Sequence, residues 1–266
     1  MNRPRRRTLL VAVLATTAGL AAYAGTTQDA GLAPYHHQHV NWKSCQRGAD
    51  DTDGRALDET GVQCADIRVP LDYRRPRGRT ITVAIARSKA TDTAHYAGPL
   101  IFNLGGPANP VLSTVPLARE GLGATGAKFD IIGMDIRFSG RSTPIDCGWP
   151  ASWLPRSAGA GRESFNRMVT LSKDLTRRCA RTNADVLPYA STANAARDMD
   201  VIRAALGAPE LSILGYSQGS YLGAQYMQRF PQRAGRMVLD SAIDPDHPGV
   251  TSFPDRTMAV RREAAL

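Results

Sequence analysis

The chain has 266 residues and a mass of 28.7 kDa, with 42% hydrophobic and 21% charged residues, a balance that suits one large globular domain and excludes a disordered chain or a multi-span membrane protein. Its formal charge is +9, but Arg3, Arg5, Arg6 and Arg7 supply four of those charges, and without them 29 basic residues face 24 acidic ones. So small an excess, with no basic stripe interleaved with aromatics, argues against a nucleic-acid partner, and four cysteines without a C-x-x-C pair argue against zinc.

Residues 1–24 read as a secretory signal peptide. A cationic start is followed by an apolar run from Leu9 to Ala22 and by Ala22-Tyr23-Ala24, an A-x-A cleavage site. The run is shorter than the ~20 residues of a spanning helix. Arg6-Arg7-Thr8-Leu9-Leu10 also fits a twin-arginine signal, which leaves the export route open. Cys45, the first cysteine, lies far beyond the cleavage point, so no lipid anchor is expected. The expectation is a secreted protein without stable membrane association once the signal is removed. In an oxidising compartment an even number of cysteines points to two disulfides. Of three possible pairings, Cys45–Cys64 and Cys147–Cys179 are the simplest, and the sequence alone leaves connectivity open.

Residues 25–60 form a polar N-terminal leader, with Asp50-Asp51-Thr52-Asp53-Gly54 as a solvated turn. His36, His37 and His39 fall in it and read as an incidental cluster rather than a metal site. The domain proper is expected over 61–266. Ile67–Val69 and Ile81–Ile85 alternate like half-buried strands on either side of Arg75-Pro76-Arg77-Gly78. Leu100–Leu104, Phe129–Met134, Leu211–Leu214 and Met237–Leu239 are continuous apolar runs, as in strands covered on both faces. Glu163 to Arg181 reads as a surface helix. Ala195, Met199, Ile202 and Leu206 mark one face of another helix, with Ser191 or Thr192 to start it and Gly207 to end it. A further helix follows Ser217, with Leu222, Tyr226 and Phe230 facing inward. Strands alternating with helices predict an α/β fold, a mostly parallel sheet with helices on both faces.

Gly215-Tyr216-Ser217-Gln218-Gly219 is a G-x-S-x-G string placed where a strand must turn into a helix. That is the context of a nucleophile elbow, in which Ser217 attacks a carbonyl and flanking glycines relieve crowding. An oxyanion hole needs backbone N–H donors, one from the residue after the nucleophile, here Gln218, and one from a loop after an earlier strand. Gly105-Gly106-Pro107 follows the run 100–104, which makes Gly106 the second donor. No cofactor or metal is required.

Taken together, Val69-Pro70-Leu71-Asp72-Tyr73, Gly105-Gly106-Pro107, Asp135-Ile136-Arg137-Phe138-Ser139-Gly140-Arg141-Ser142, Ala195-Ala196-Arg197-Asp198-Met199-Asp200, the elbow, and Arg236-Met237-Val238-Leu239-Asp240 resemble, in order, secreted actinobacterial α/β-hydrolases of the tripeptidyl aminopeptidase and proline iminopeptidase type. The resemblance covers roughly residues 60–245. It implies an α/β-hydrolase fold and an exported serine exopeptidase that takes short peptides or single residues from free N-termini. The family's cysteines fall near the four here, which supports the neighbour pairing. Two departures flank the expected site: Ala108-Asn109-Pro110 replaces a glycine- and serine-containing loop, and Ile136 and Phe138 interrupt a motif that normally reads Asp-Pro-Arg-Gly.

The triad order of this fold is serine, acid, histidine. After Ser217 the only histidine is His247, in the polar turn Asp-Pro-Asp-His-Pro-Gly, and Asp240, Asp244, Asp246 and Asp255 are the carboxylates. In the family the acid and base follow two later strands, beyond a lid that here would begin near residue 250. The expectation is therefore a truncated hydrolase with its triad acid and base unassigned, and little or no peptidase turnover from these 266 residues alone. Two alternatives stand beside it: a cutinase-like esterase, which shares Gly-Tyr-Ser-Gln-Gly, and a non-catalytic remnant or binding protein.

Overall fold

The computed structural model describes residues 27–106, 110–148 and 161–244. The expected signal peptide, Pro107 to Asn109, and the expected lid with His247 lie outside the described residues. Six strands form one sheet: β1 (Gln63–Pro70), β2 (Thr80–Ser88), β3 (Pro99–Asn103), β4 (Asp130–Met134), β5 (Leu211–Tyr216) and β6 (Ala234–Asp240), in the order β1-β2-β4-β3-β5-β6. β2 is antiparallel to β1 and β4, while β4, β3, β5 and β6 run parallel. Ile101 pairs with Ile132 on one side and Ile213 on the other, so the chain's most apolar runs lie at the centre of the sheet.

β3 is buried at all five positions and β5 at its first five, as continuous apolar runs require when both sheet faces are covered. The helices are α1 (Thr27–His36), α2 (Thr52–Glu59), α3 (Val115–Gly126), α4 (Arg162–Thr182), α5 (Thr192–Ala205) and α6 (Gln218–Arg229). One core layer packs Ala195, Met199 and Ile202 of α5 and Leu222 and Tyr226 of α6 against Ile67, Ile101, Ile132 and Ile213. The other packs Val115 and Ala118 of α3 against Leu100, Phe102, Ile131 and Leu214. The mostly parallel sheet and its two helical layers match the expected fold class. Ser191 caps α5 by accepting from the Asn194 N–H, and Gly207, at φ 67°, follows its end. In α4 only Leu175 is buried, in keeping with a surface helix.

Disulfides join Cys45 to Cys64 and Cys147 to Cys179. The first ties the segment before α2 to the start of β1, and the second ties α4 to the loop after β4, where Asn183 Nδ2 also donates to the Asp146 carbonyl at 2.8 Å.

Three readings differ from the structure. The run 50–54 is the start of α2, capped by Asp51, whose carboxylate accepts from the Gly54 N–H at 2.9 Å. The polar composition of 25–60 also hides three anchors, Tyr35, Cys45 and Leu57, all buried. Few apolar residues suffice there because each sits against the finished sheet. β6 is not covered on both faces among the described residues: it is an edge strand, as β1 is at the other side of the sheet, and Val238 is 56% exposed.

Candidate active site

Ser217 stands between the end of β5 and the first residue of α6, at φ 51° and ψ −118°. A serine in that left-handed region carries strain of about 1–3 kcal/mol, which surrounding contacts must over-determine. They do so here. The Ser217 N–H donates to the Asp240 carbonyl at 3.0 Å, and its own carbonyl accepts from the Ser220 N–H at 2.9 Å and the Ser220 hydroxyl at 2.5 Å. The flanking glycines are sterically required. A Cβ on Gly215 would lie 2.3 Å from the Gly219 carbonyl oxygen, and one on Gly219 would lie 2.3 Å from that of Asn103. The Ser217 side is exposed among the described residues.

The loop after β3 closes on this turn. Gly105, at φ 84°, approaches so nearly that a Cβ there would meet the Tyr216 carbonyl oxygen at 2.3 Å and the Gln218 nitrogen at 2.9 Å. Its N–H is occupied, donating to Asn103 Oδ1 at 2.8 Å. Gly106 follows at φ 59° and lines the same cavity as Gln218. The three residues read from the sequence, Ser217, Gln218 and Gly106, thus come together at the carboxyl ends of β3 and β5. Asn103 was not singled out, although a polar residue inside an otherwise apolar run was a visible signal.

The cavity beside them has a volume of about 280 Å³ and is walled by Ile136, Phe138, Ile145, Ala195 and Leu222, with Asn103, Arg137, Ser191 and Thr192 among its polar neighbours. Both departures noted in the Asp135–Ser142 string, Ile136 and Phe138, are wall residues. Phe138 adopts φ 71°, a second non-glycine residue in the left-handed region.

The acidic residues of the longer motifs serve the frame. Asp135 accepts from the Val111 N–H at 2.7 Å and the Arg141 N–H at 2.8 Å, and Gly140 is needed because a Cβ would meet its carboxylate at 2.1 Å. Asp198, fully buried, receives Arg137 Nε at 2.7 Å, Arg137 Nη2 at 2.6 Å and the Tyr73 hydroxyl at 2.6 Å. Burial, with Asp198 beside it, pushes the Tyr73 phenol well above its usual range, so it remains a donor. Asp200 accepts from Arg203 at 2.8 Å and Arg233 at 2.5 Å.

None of the described histidines lines this cavity. His95 pairs with Asp92 in the turn that precedes β3, at the opposite end of the sheet from Ser217. His36 and His37 lie beside Ala204, Gly207 and Pro209, ahead of the start of β5. His39 follows Gln38, which hydrogen-bonds Arg68 on β1, and β1 lies four strands from β5, roughly 19 Å at the usual inter-strand spacing. Among the described residues no three His, Cys, Asp or Glu side chains are grouped to hold a metal ion.

A family model described as the alpha/beta hydrolase fold matches residues 98–260. The chain belongs to that family. Among its relatives, the tripeptidyl aminopeptidase of Streptomyces coelicolor is 38% identical over 192 residues, 69% of this chain and 36% of that protein. Serine protease Hip1 of Mycobacterium tuberculosis is 31% identical over 266 residues, 92% of this chain and 49% of the relative. Carboxylesterase B of M. tuberculosis is 32% identical over 235 residues, covering 84% and 44%. The chain spans half or less of the length of these relatives. They bear out the resemblance read from the motifs.

Proposed function

We propose that the protein is an exported serine exopeptidase in which Ser217 attacks the carbonyl of a peptide near its free N-terminus. The observation that carries this reading is the strained turn at Ser217, with the Gln218 and Gly106 backbones beside it on one cavity. The peptidase names of two relatives support the substrate class. Attack by Ser217 Oγ develops negative charge on the carbonyl oxygen, and the Gln218 and Gly106 N–H groups receive it. Such preorganised donors are each worth roughly 10²–10³ in kcat. The serine proton needs a base, and on this reading acid and base lie outside the described residues. No cofactor takes part in the scheme. Export rests on the A-x-A signal and on two disulfides, which persist in oxidising compartments.

The test is fluorophosphonate labelling of the exported protein followed by peptide mapping, alongside Ser217→Ala. In a protein that carries the acid and base as well, label on Ser217, lost in the variant, is expected together with fluorophore release from a free tripeptidyl coumarin and none from its N-acetylated form. Label retained in Ser217→Ala would overturn the assignment. Hydrolysis of p-nitrophenyl esters without peptide release would favour the esterase alternative, to which carboxylesterase B gives weight.

A further inference from the structure

We propose that the cavity beside Ser217 is a subsite for one uncharged apolar group attached to the carbonyl under attack, and that Phe138 sets its width; this rests on Ser217 being the nucleophile. The cavity volume, about 280 Å³, is roughly twice the ~150 Å³ of a hydrocarbon-lined cavity that admits benzene. A leucyl or phenyl side chain therefore fits. The described walls are aliphatic or aromatic at Ile136, Phe138, Ile145, Ala195 and Leu222.

The one charged residue in the lining offers an incoming ion nothing. Arg137 Nε and Nη2 hold Asp198, Nη2 also donates to the Pro70 carbonyl at 3.1 Å, and Nη1 donates to the carbonyls of Leu71 at 3.0 Å and Tyr189 at 3.4 Å. All five guanidinium N–H donors are thus engaged, and Asp198 neutralises the charge. Asn103 Oδ1 is likewise engaged by the Gly105 N–H. A carboxylate or ammonium entering this space would lose water and meet no free countercharge among the described lining residues, only the neutral hydroxyl and amide groups of Ser191, Thr192, Asn103 and Gln218, a penalty that disfavours both. Phe138 is the residue to watch because its backbone is constrained. At φ 71°, with its N–H donating to the Ser142 carbonyl at 2.8 Å, the turn fixes where the ring stands. Ala195, on the α5 side, is a small wall residue and leaves the space open.

The experiment measures equilibrium binding to the Ser217→Ala protein, so that the subsite is read without turnover. The probes are N-acetyl-L-leucinamide, N-acetyl-L-phenylalaninamide, and the corresponding aspartate and lysine amides. The two apolar probes are expected to bind at least tenfold more tightly than the charged pair, a size of discrimination ordinary for one pocket contact. Ala195→Leu, which fills the cavity, is expected to abolish that preference. Phe138→Ala, which widens it, is expected to shift preference from the leucyl to the phenylalanyl probe. Circular dichroism establishes that each variant is folded, and opposite effects from filling and widening exclude a general loss of structure. Equal binding of all four probes, or ratios unchanged in both variants, would overturn the proposal. Selective binding together with fluorophosphonate labelling away from Ser217 would leave the subsite standing and overturn the nucleophile instead.

Discussion

Arg137 commits all its hydrogen-bond donors within the protein, and its carboxylate partner Asp198 is buried without contact with solvent. This pair links three remote pieces of chain: the end of β1 through Pro70 and Leu71, the turn before α5 through Tyr189, and α5 itself. A buried ion pair is weak evidence of net stability, but removing one partner leaves an uncompensated charge. Arg137→Met is therefore expected to destabilise the fold by about 3–5 kcal/mol, read as a lower urea midpoint. Arg137→Met combined with Asp198→Leu should recover at least about 1 kcal/mol of that, because the stranded carboxylate is gone. A double variant no more stable than the single one would show that the loss comes from the broken links between segments. The role of Asp198 was hidden in the sequence. Its hydroxyl partner, Tyr73, lies 125 residues away, and nothing local in Ala195–Asp200 distinguishes a buried structural aspartate from an exposed one. Ser217 was legible because its constraint is local: strand, turn and helix follow within a few residues, and the glycines have to sit where they do.

At the level of elements, the segment before β1 is held by carboxylates rather than by apolar mass. Asp58 accepts from the Ser44 hydroxyl at 2.5 Å and from the Cys45 and Gln46 N–H groups at 2.6 and 3.1 Å. Asp51 accepts from the Gly54 and Arg47 N–H groups, each at 2.9 Å, and from Arg141 at 2.7 Å. The Ser44 hydroxyl chiefly holds the Asp58 carboxyl below its ordinary range, and the Gly54 N–H chiefly does so for Asp51. Both folded-state values thus lie below the unfolded ones, near 3.9. Their contribution is complete above the unfolded value and disappears as pH falls through the folded ones. The urea midpoint is expected to drop below about pH 4, with a shallower drop in Asp58→Asn; an identical slope in that variant would refute the assignment. Elements that depend on such tertiary bonds are the ones sequence periodicity misses. α2 is short and polar, and α3 carries Gly121, Gly123 and Gly126, with a kink at Gly123 where φ is 49°. β3, β5 and α5 were legible because burial on both sheet faces or on one helix stripe writes a period into the chain.

Across the whole molecule, two core layers cover the centre of the sheet while β6 remains one of its edges. β6 pairs with β5 on one side only among the described residues, and such an edge with an exposed Val238 is a template for pairing with another chain. Val238→Lys is expected to reduce self-association, seen as a smaller increase of scattered light with protein concentration, with the fold unchanged by circular dichroism. Unchanged association would place the sticky surface elsewhere. The two disulfides have a different consequence at this scale. Each bridges a stretch of chain, 45 to 64 and 147 to 179, so a peptide bond cut inside either stretch does not release a fragment. The pieces stay covalently joined through sulfur, and a nicked molecule migrates as a single species until a reductant parts it. Undiminished size on a non-reducing gel would then not testify to an intact backbone.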